Sequence, residues 1–339
     1  MNFFNIEFKE DDSYFYGCSL VSALQNKMLT EAISNTLIDY PLEDIIKKLS
    51  EFDYSADSDI DLMLIKAEKA LYKKIREAVV PSPDFILIDL LFLKNDFENL
   101  KKGIKKLFSL HHELNFDLDY TDNSLVNSEM MHEIIKNKNF YKLPIELTGI
   151  ANVALEMKSK GLSNFYIDNT VDAVYLKTVL ETARKKENGF LEYYFKNYVD
   201  LHNISTTLRL KKSMSDIGDL KSFFISYGSL NFSDFQFLFQ AKLEDYVDFL
   251  SRKPYGEMIK ESVTDILKTN SFLLFEKLKD NYLLSIAQKT KIVRNSIDSI
   301  IGYFFGKQNE IRNVHLILSS KKNNLDKETI KKRVRKYYV

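Results

Sequence analysis

The pattern that most restricts this chain is a short run found three times: Asp96-Phe-Glu-Asn-Leu100, Asp200-Leu-His-Asn-Ile204 and Glu310-Ile-Arg-Asn-Val314. Each copy has the order acid, apolar, any residue, asparagine, apolar, with a further apolar residue four positions on at Ile104, Leu208 or Leu318. Leu90-Leu91, Tyr194-Phe195 and Phe304-Phe305 stand eight and nine residues before the three asparagines. Spacings of three and four put such residues on one face of a helix. An asparagine inside a helix is costly, because its side chain competes with the backbone. Accepting that cost at Asn99, Asn203 and Asn313 predicts the same hydrogen bond in each copy. Chance is the rival reading, since amphipathic helices share apolar spacing by default.

The asparagines lie 104 and 110 residues apart. That period is too long for the common solenoids. It suits three similar helical domains about a pseudo-threefold axis, divided here as residues 1–112, 113–215 and 216–339. Five prolines and ten glycines in 339 residues leave room for long uninterrupted helices, and 25 Phe with 19 Tyr supply the apolar area a folded core needs. No segment alternates at period two. The expected fold class is all-α.

Along the chain, the periodicity predicts helices over residues 14–38, 41–52, 58–80, 84–110, 145–159, 173–186, 189–212, 220–227, 233–250, 256–281 and 291–319. Residues 112–123 and 213–219 are linker candidates. The basic tail, residues 327–339, is expected to be a short amphipathic helix. It suits a membrane surface, a localisation signal or an acidic partner, and equally a cationic helix end that complements the macrodipole.

Net charge is zero, but residues 1–61 hold 13 acids against 4 bases, while residues 310–339 hold 9 bases against 3 acids. Without a domain-wide positive surplus, nucleic acid is not the expected partner. One cysteine, Cys18, cannot make an intramolecular disulfide. The acidic start lacks the form of a signal peptide, and the longest apolar run, residues 85–93, is far too short to span a bilayer. A cytosolic chain is the expectation.

No run of residues makes a catalytic set. Gly306-Lys307 lacks the flanking residues of a phosphate loop. His111, His112, His132, His202 and His315 do not take zinc spacing, and no base is spaced to activate Cys18. Asp57, Asp59, Asp61 and Glu68 fall at calcium-loop positions, but Leu62 stands where the loop's turn requires glycine, which favours helix-capping carboxylates. No cofactor, metal or small-molecule substrate is expected.

Around the third copy, Ser299-Ile-Ile-Gly-Tyr-Phe-Phe-Gly-Lys-Gln-Asn-Glu-Ile-Arg-Asn-Val-His-Leu-Ile-Leu-Ser-Ser-Lys321, with Leu325-Asp-Lys-Glu-Thr-Ile-Lys-Lys-Arg333 and Tyr338-Val339, resembles the C-terminal signature of the central-stalk C subunits of V/A-type ATPases, relatives of the vacuolar d subunit. Tyr16-Gly17, Asp96 to Lys101, Asp172-Ala-Val-Tyr-Leu-Lys and Asp200 to Arg209 are similar to the family's other landmarks. The chain departs from the pattern at Cys18-Ser19-Leu20 and at His315, where arginines are expected. The resemblance implies a funnel-shaped, non-catalytic rotor part, peripheral on the cytoplasmic face of the membrane. It implies contacts with the D and F subunits of the shaft and with the proteolipid ring. Asp96, Asn99, Asp200, Asn203, Arg209, Glu310, Arg312 and Asn313 are the candidate site residues, for structure or for partner contact. A free helical adaptor that binds peptides or nucleic acid is the alternative.

Overall fold

The structure is a computed structural model that describes residues 6–57, 59–79, 84–108, 120–213 and 216–339. Every regular element among them is helical. In chain order these are α1 Phe15–Gln25, α2 Glu31–Asp39, α3 Leu42–Leu49, α4 Ile60–Ala78, α5 Phe85–Leu107, α6 Ser128–Lys136, α7 Ile145–Ser159 and α8 Asn164–Lys185. They continue with α9 Gly189–Lys212, α10 Ile217–Phe223, α11 Phe232–Gln240, α12 Leu243–Leu250, α13 Gly256–Thr269, α14 Leu273–Gln288, α15 Ile297–Lys322 and α16 Lys327–Arg333. No helix among the described residues is long and apolar enough to cross a membrane.

Contacts gather the chain into two units, Met1–Ser82 with Ala241–Val339, and Pro83–Gln240. In the first, α15 is the central rod and packs against α1, α3, α4, α14 and α16. Its buried residues, Ile300, Ile301, Phe304, Ile311, Val314 and Leu318 among them, lie on all sides, as a helix enclosed by others requires. Two glycines allow the close approaches. A Cβ on Gly17 of α1 would stand 2.0 Å from the Ala78 carbonyl oxygen, and one on Gly306 of α15 would stand 2.4 Å from Cγ of the Tyr338 ring. The aromatic tail therefore lies directly on the backbone of α15.

In the second unit, α8 packs against α5, α7, α9 and α10. Two of the sequence landmarks meet here. Lys101 of α5, nearly buried, pairs with Asp172 of α8 at 2.6 Å and with Glu98 at 2.9 Å. One turn on from Asp172, the Tyr175 hydroxyl donates to the Leu90 carbonyl at 3.3 Å, and its ring tilts against Phe97 at 5.6 Å between centroids. Burying Phe97 fully contributes about 1.5–3 kcal/mol.

Several predicted helices are broken where a capping group intervenes. The span 14–38 divides because the Thr30 hydroxyl accepts the Ile33 N–H at 3.3 Å and starts α2. The span 256–281 divides at Asn270, which turns left-handed at φ 58° and ends α13. The span 233–250 is α11 and α12, and residues 220–227 are helical only as far as Phe223. In the linker 213–219, Ser213 ends α9 and Asp216 caps α10. Helix α8 begins earlier than predicted, at Asn164, and α15 later, behind its Ser296 cap. The tail is helical only through α16, and residues 334–339 form no regular element. Ser58, Pro81, Pro83, His111, His112 and most of the linker 112–123 lie outside the described residues.

Candidate functional site

The three repeated runs sit inside α5, α9 and α15, and each of their asparagines is buried. Asn99 donates to the Thr121 carbonyl at 3.0 Å and accepts the Thr121 N–H at 3.1 Å. Asn203 does the same with Ile225, at 2.7 and 3.0 Å, and Asn313 with Arg335, at 3.0 and 2.9 Å. In each case the partner lies 22 residues further along. Only an amide supplies a donor and an acceptor side by side, so one side chain satisfies both backbone groups of a single residue outside any helix. The clamp takes the place that a neighbouring strand has in a sheet.

The acid three residues earlier grips the same loop further on. Asp96 accepts the N–H groups of Leu125 and Val126 at 2.8 and 2.9 Å. Asp200 accepts those of Ser229 and Leu230 at 2.9 and 3.1 Å, and also the Ser229 hydroxyl. Glu310 differs. It accepts the Leu29 N–H at 2.7 Å, the Tyr54 hydroxyl at 2.9 Å and the Lys307 ammonium at 2.6 Å. That ammonium also lies 4.7 Å from the centre of the Tyr54 ring.

Burial sets the electrostatics. It pushes the Asp96 carboxyl from 3.8 up to about 6, against the pull of its two backbone donors. Burial also raises Glu310, while Lys307, the Leu29 N–H and the Tyr54 hydroxyl draw it down. A buried carboxylate with several donors is a positioning device, and losing one partner leaves an uncompensated charge.

Around the tail other amides continue the pattern. Asn309 donates to the Lys336 carbonyl at 2.8 Å, Asn281 accepts the Lys336 N–H at 2.8 Å, and Gln288 donates to the carbonyls of Tyr337 and Tyr338. Asn95 makes the comparable bond to Asn123 in the first copy, at 2.6 Å.

Arg209 and Arg312 are apart from the clamps, exposed on the outer faces of α9 and α15. Arg209 reaches Ser205 at 3.4 Å, and Arg312 stands 3.8 Å from Asp280, which takes a closer bond from Arg335 at 3.0 Å. His315 is exposed. Of the calcium-template acids, Asp59 caps α4 by accepting the N–H groups of Asp61 and Leu62, and Asp57 pairs with Lys66 at 2.9 Å. Residue spacing missed Tyr54, Lys307, Leu29 and Asn281. Only Lys307 carried a signal, an acid three residues on.

These arrangements hold backbone in place, and the chain that carries them is similar to known proteins. The ATP synthase (C/AC39) subunit family matches residues 18–333. Similar relatives include the C subunit of the A-type ATP synthase of Methanococcoides burtonii, 21% identical across 94% of this chain and 93% of the relative. That of Methanosarcina acetivorans is 23% identical across 95% and 93%. The C subunit of the V-type sodium ATPase of Enterococcus hirae is 22% identical across 83% and 84%. With a family match over most of its length, residues 18–333, this chain belongs to the ATP synthase (C/AC39) subunit family.

Proposed function

We propose that this chain is the non-catalytic coupling part of the central rotor in a V/A-type rotary ATPase. It acts as a socket between the D–F shaft and the membrane proteolipid ring, peripheral on the cytoplasmic face, and it turns with them. The observation that carries this reading is the family match over residues 18–333. The relatives' names, as C subunits of an A-type ATP synthase and a V-type sodium ATPase, point to the same kind of assembly. Three similar helical domains in a funnel about a pseudo-threefold axis belong to the same proposal.

The mechanical demand fits the chemistry. A part that passes torque must resist shear, and buried hydrogen-bonded networks in low dielectric are stiff and specific when fully satisfied. Helices pinned to non-helical segments by Asn99, Asn203 and Asn313 meet that demand without a reactive group. Contact with a ring at the membrane surface needs no spanning helix of its own. The test is purification of the membrane ATPase through a tag on this chain. Shaft and ring subunits are expected to co-elute with it. Recovery of the chain alone, or with nucleic acid in a salt-dependent complex, would support the adaptor reading instead.

A further inference from the structure

The three acids do not all reach forward along the chain. Asp96 and Asp200 grip residues 29 and 30 positions later. Glu310 grips Leu29, which is 281 positions earlier.

Each gripped residue leads into the same kind of segment. Val126 precedes the cap Asn127 and the nine-residue helix α6. Leu230 precedes Asn231 and the nine-residue α11. Leu29 precedes the cap Thr30 and the nine-residue α2. Each cap accepts the N–H of the residue three further on, Met130, Asp234 and Ile33 respectively. The match between Leu29 and Leu230 continues through a second helix of eight residues, α3 in one case and α12 in the other, at identical offsets. Burial keeps the same register, with Ser34, Leu37, Ile45 and Leu49 on one side and Phe235, Leu238, Tyr246 and Leu250 on the other.

Upstream of the grip, the second and third copies also agree. Helices α10 and α16 each have seven residues, lie at the same distance from Asn203 and Asn313, and start from Asp216 and Asp326. Each of those caps accepts the N–H three residues on, at 3.0 and 2.9 Å. The place that Leu230 holds against Asp200 is held against Glu310 by Leu29.

We infer that the three copies are linked head to tail in a closed cycle, in which the acid of each grips the first residue of the next. Asp96 of the first copy holds Val126, which opens the second, and Asp200 of the second holds Leu230, which opens the third. Glu310 of the third holds Leu29, which opens the first. On this register the copies begin at Leu29, Val126 and Leu230 rather than after residues 112 and 215. Residues 29–49 are a strap that closes the third copy without a covalent link.

The chemistry at Glu310 suits that difference. In the two covalent links, chain connectivity delivers a pair of neighbouring N–H groups to a short aspartate. At the third, the segment arrives from elsewhere in the sequence and delivers one N–H. A glutamate, one methylene longer, makes up the deficit with Lys307 and Tyr54. Charge-assisted bonds are about twice as strong as neutral ones, which compensates for the missing tether.

The cycle is tested by hydrogen exchange on the whole chain, read residue by residue. In the unmodified protein the Leu29 amide is expected to be protected about a hundredfold or more, comparable with Val126 and Leu230. Glu310→Ala is expected to accelerate exchange over residues 29–38 by about tenfold or more, and Asp200→Ala is expected to do the same over residues 230–238. Glu310→Gln, whose carbonyl oxygen still accepts from Leu29 but no longer carries the charge that pairs with Lys307, is expected to fall between the unmodified protein and Glu310→Ala. Exchange of Leu29 at the rate of an open loop in the unmodified chain would overturn the inference. So would a Glu310→Ala protein that folds and leaves residues 29–38 unchanged.

Discussion

Replacing Asn203 by leucine removes one clamp while nearly preserving side-chain volume. The amide makes two bonds to one residue, at 2.7 and 3.0 Å, and both Asn203 and Ile225 are buried. Leucine leaves the Ile225 N–H and C=O without their partner where water cannot readily replace it. Each orphaned backbone group costs about 1–3 kcal/mol. Offset in part by the burial of an apolar side chain, the loss comes to about 1–5 kcal/mol. For a unit of this size each kcal/mol moves the midpoint by about 2–4 °C, so a mid-range loss lowers Tm by about 6–12 °C. Urea and thermal unfolding followed by circular dichroism measure it. Asn152→Leu is the control, because Asn152 is exposed on α7 and its amide reaches only the Thr148 carbonyl of its own helix. That change should stay within about 0.5 kcal/mol. If Asn203→Leu costs no more than Asn152→Leu, the repeated asparagine is not a clamp and the repeat has lost its physical explanation.

Asp96 should give the second unit a pH dependence of unusual sign. Its folded value of about 6 lies above 3.8, so the folded state holds the extra proton between them. Its contribution to stability is fully present below about pH 4 and is lost as pH rises through about 6. The urea midpoint of the wild type relative to Asp96→Asn should therefore fall across that range, and a rise would contradict the burial argument. Gly306→Ala should cost about 1–3 kcal/mol by forcing the Tyr338 ring off α15, with faster proteolysis of residues 334–339 as the readout. An unchanged tail would show that the ring can shift without penalty. Cys18 donates to the Ser296 carbonyl at 3.3 Å, and burial raises its thiol pKa. Its reaction with a disulfide reagent at neutral pH should be about tenfold slower than that of a free thiol, and equal rates would refute this.

The helical class was legible because breakers are scarce, and the long repeated helices were legible because apolar residues recur along them at helical spacing with no proline between. The breaks were not. Apolar spacing runs on through Met28 and Ile33 because α1 and α2 both bury a face in the same unit, so only the Thr30 cap marks the division. Asn270 could have signalled a left-handed end, but an asparagine inside a periodic stretch is ambiguous without its backbone angle. The tail misled for a different reason. Its charges suit a helix, yet the stretch after Arg333 is held out of helix by amides of Asn281, Gln288, Asn309 and Asn313, far away in sequence. The repeat itself was visible as acid and asparagine, whereas the segments they grip carry no motif beyond a capping residue after an apolar one. The grip of Glu310 on Leu29 spans almost the entire chain, and no local pattern could announce it.

The most direct measurement of the rotor reading is coupling in the intact complex. Membranes from cells that lack this chain, or carry it with a cleavable tag, can be assayed for ATP hydrolysis and for ion movement in parallel. If the chain joins shaft to ring, removing it separates the two activities, so that hydrolysis persists in the catalytic part while ion transport is lost, and adding the chain back restores transport. Full coupling of hydrolysis to ion transport in a complex shown to lack this chain would contradict the rotor reading.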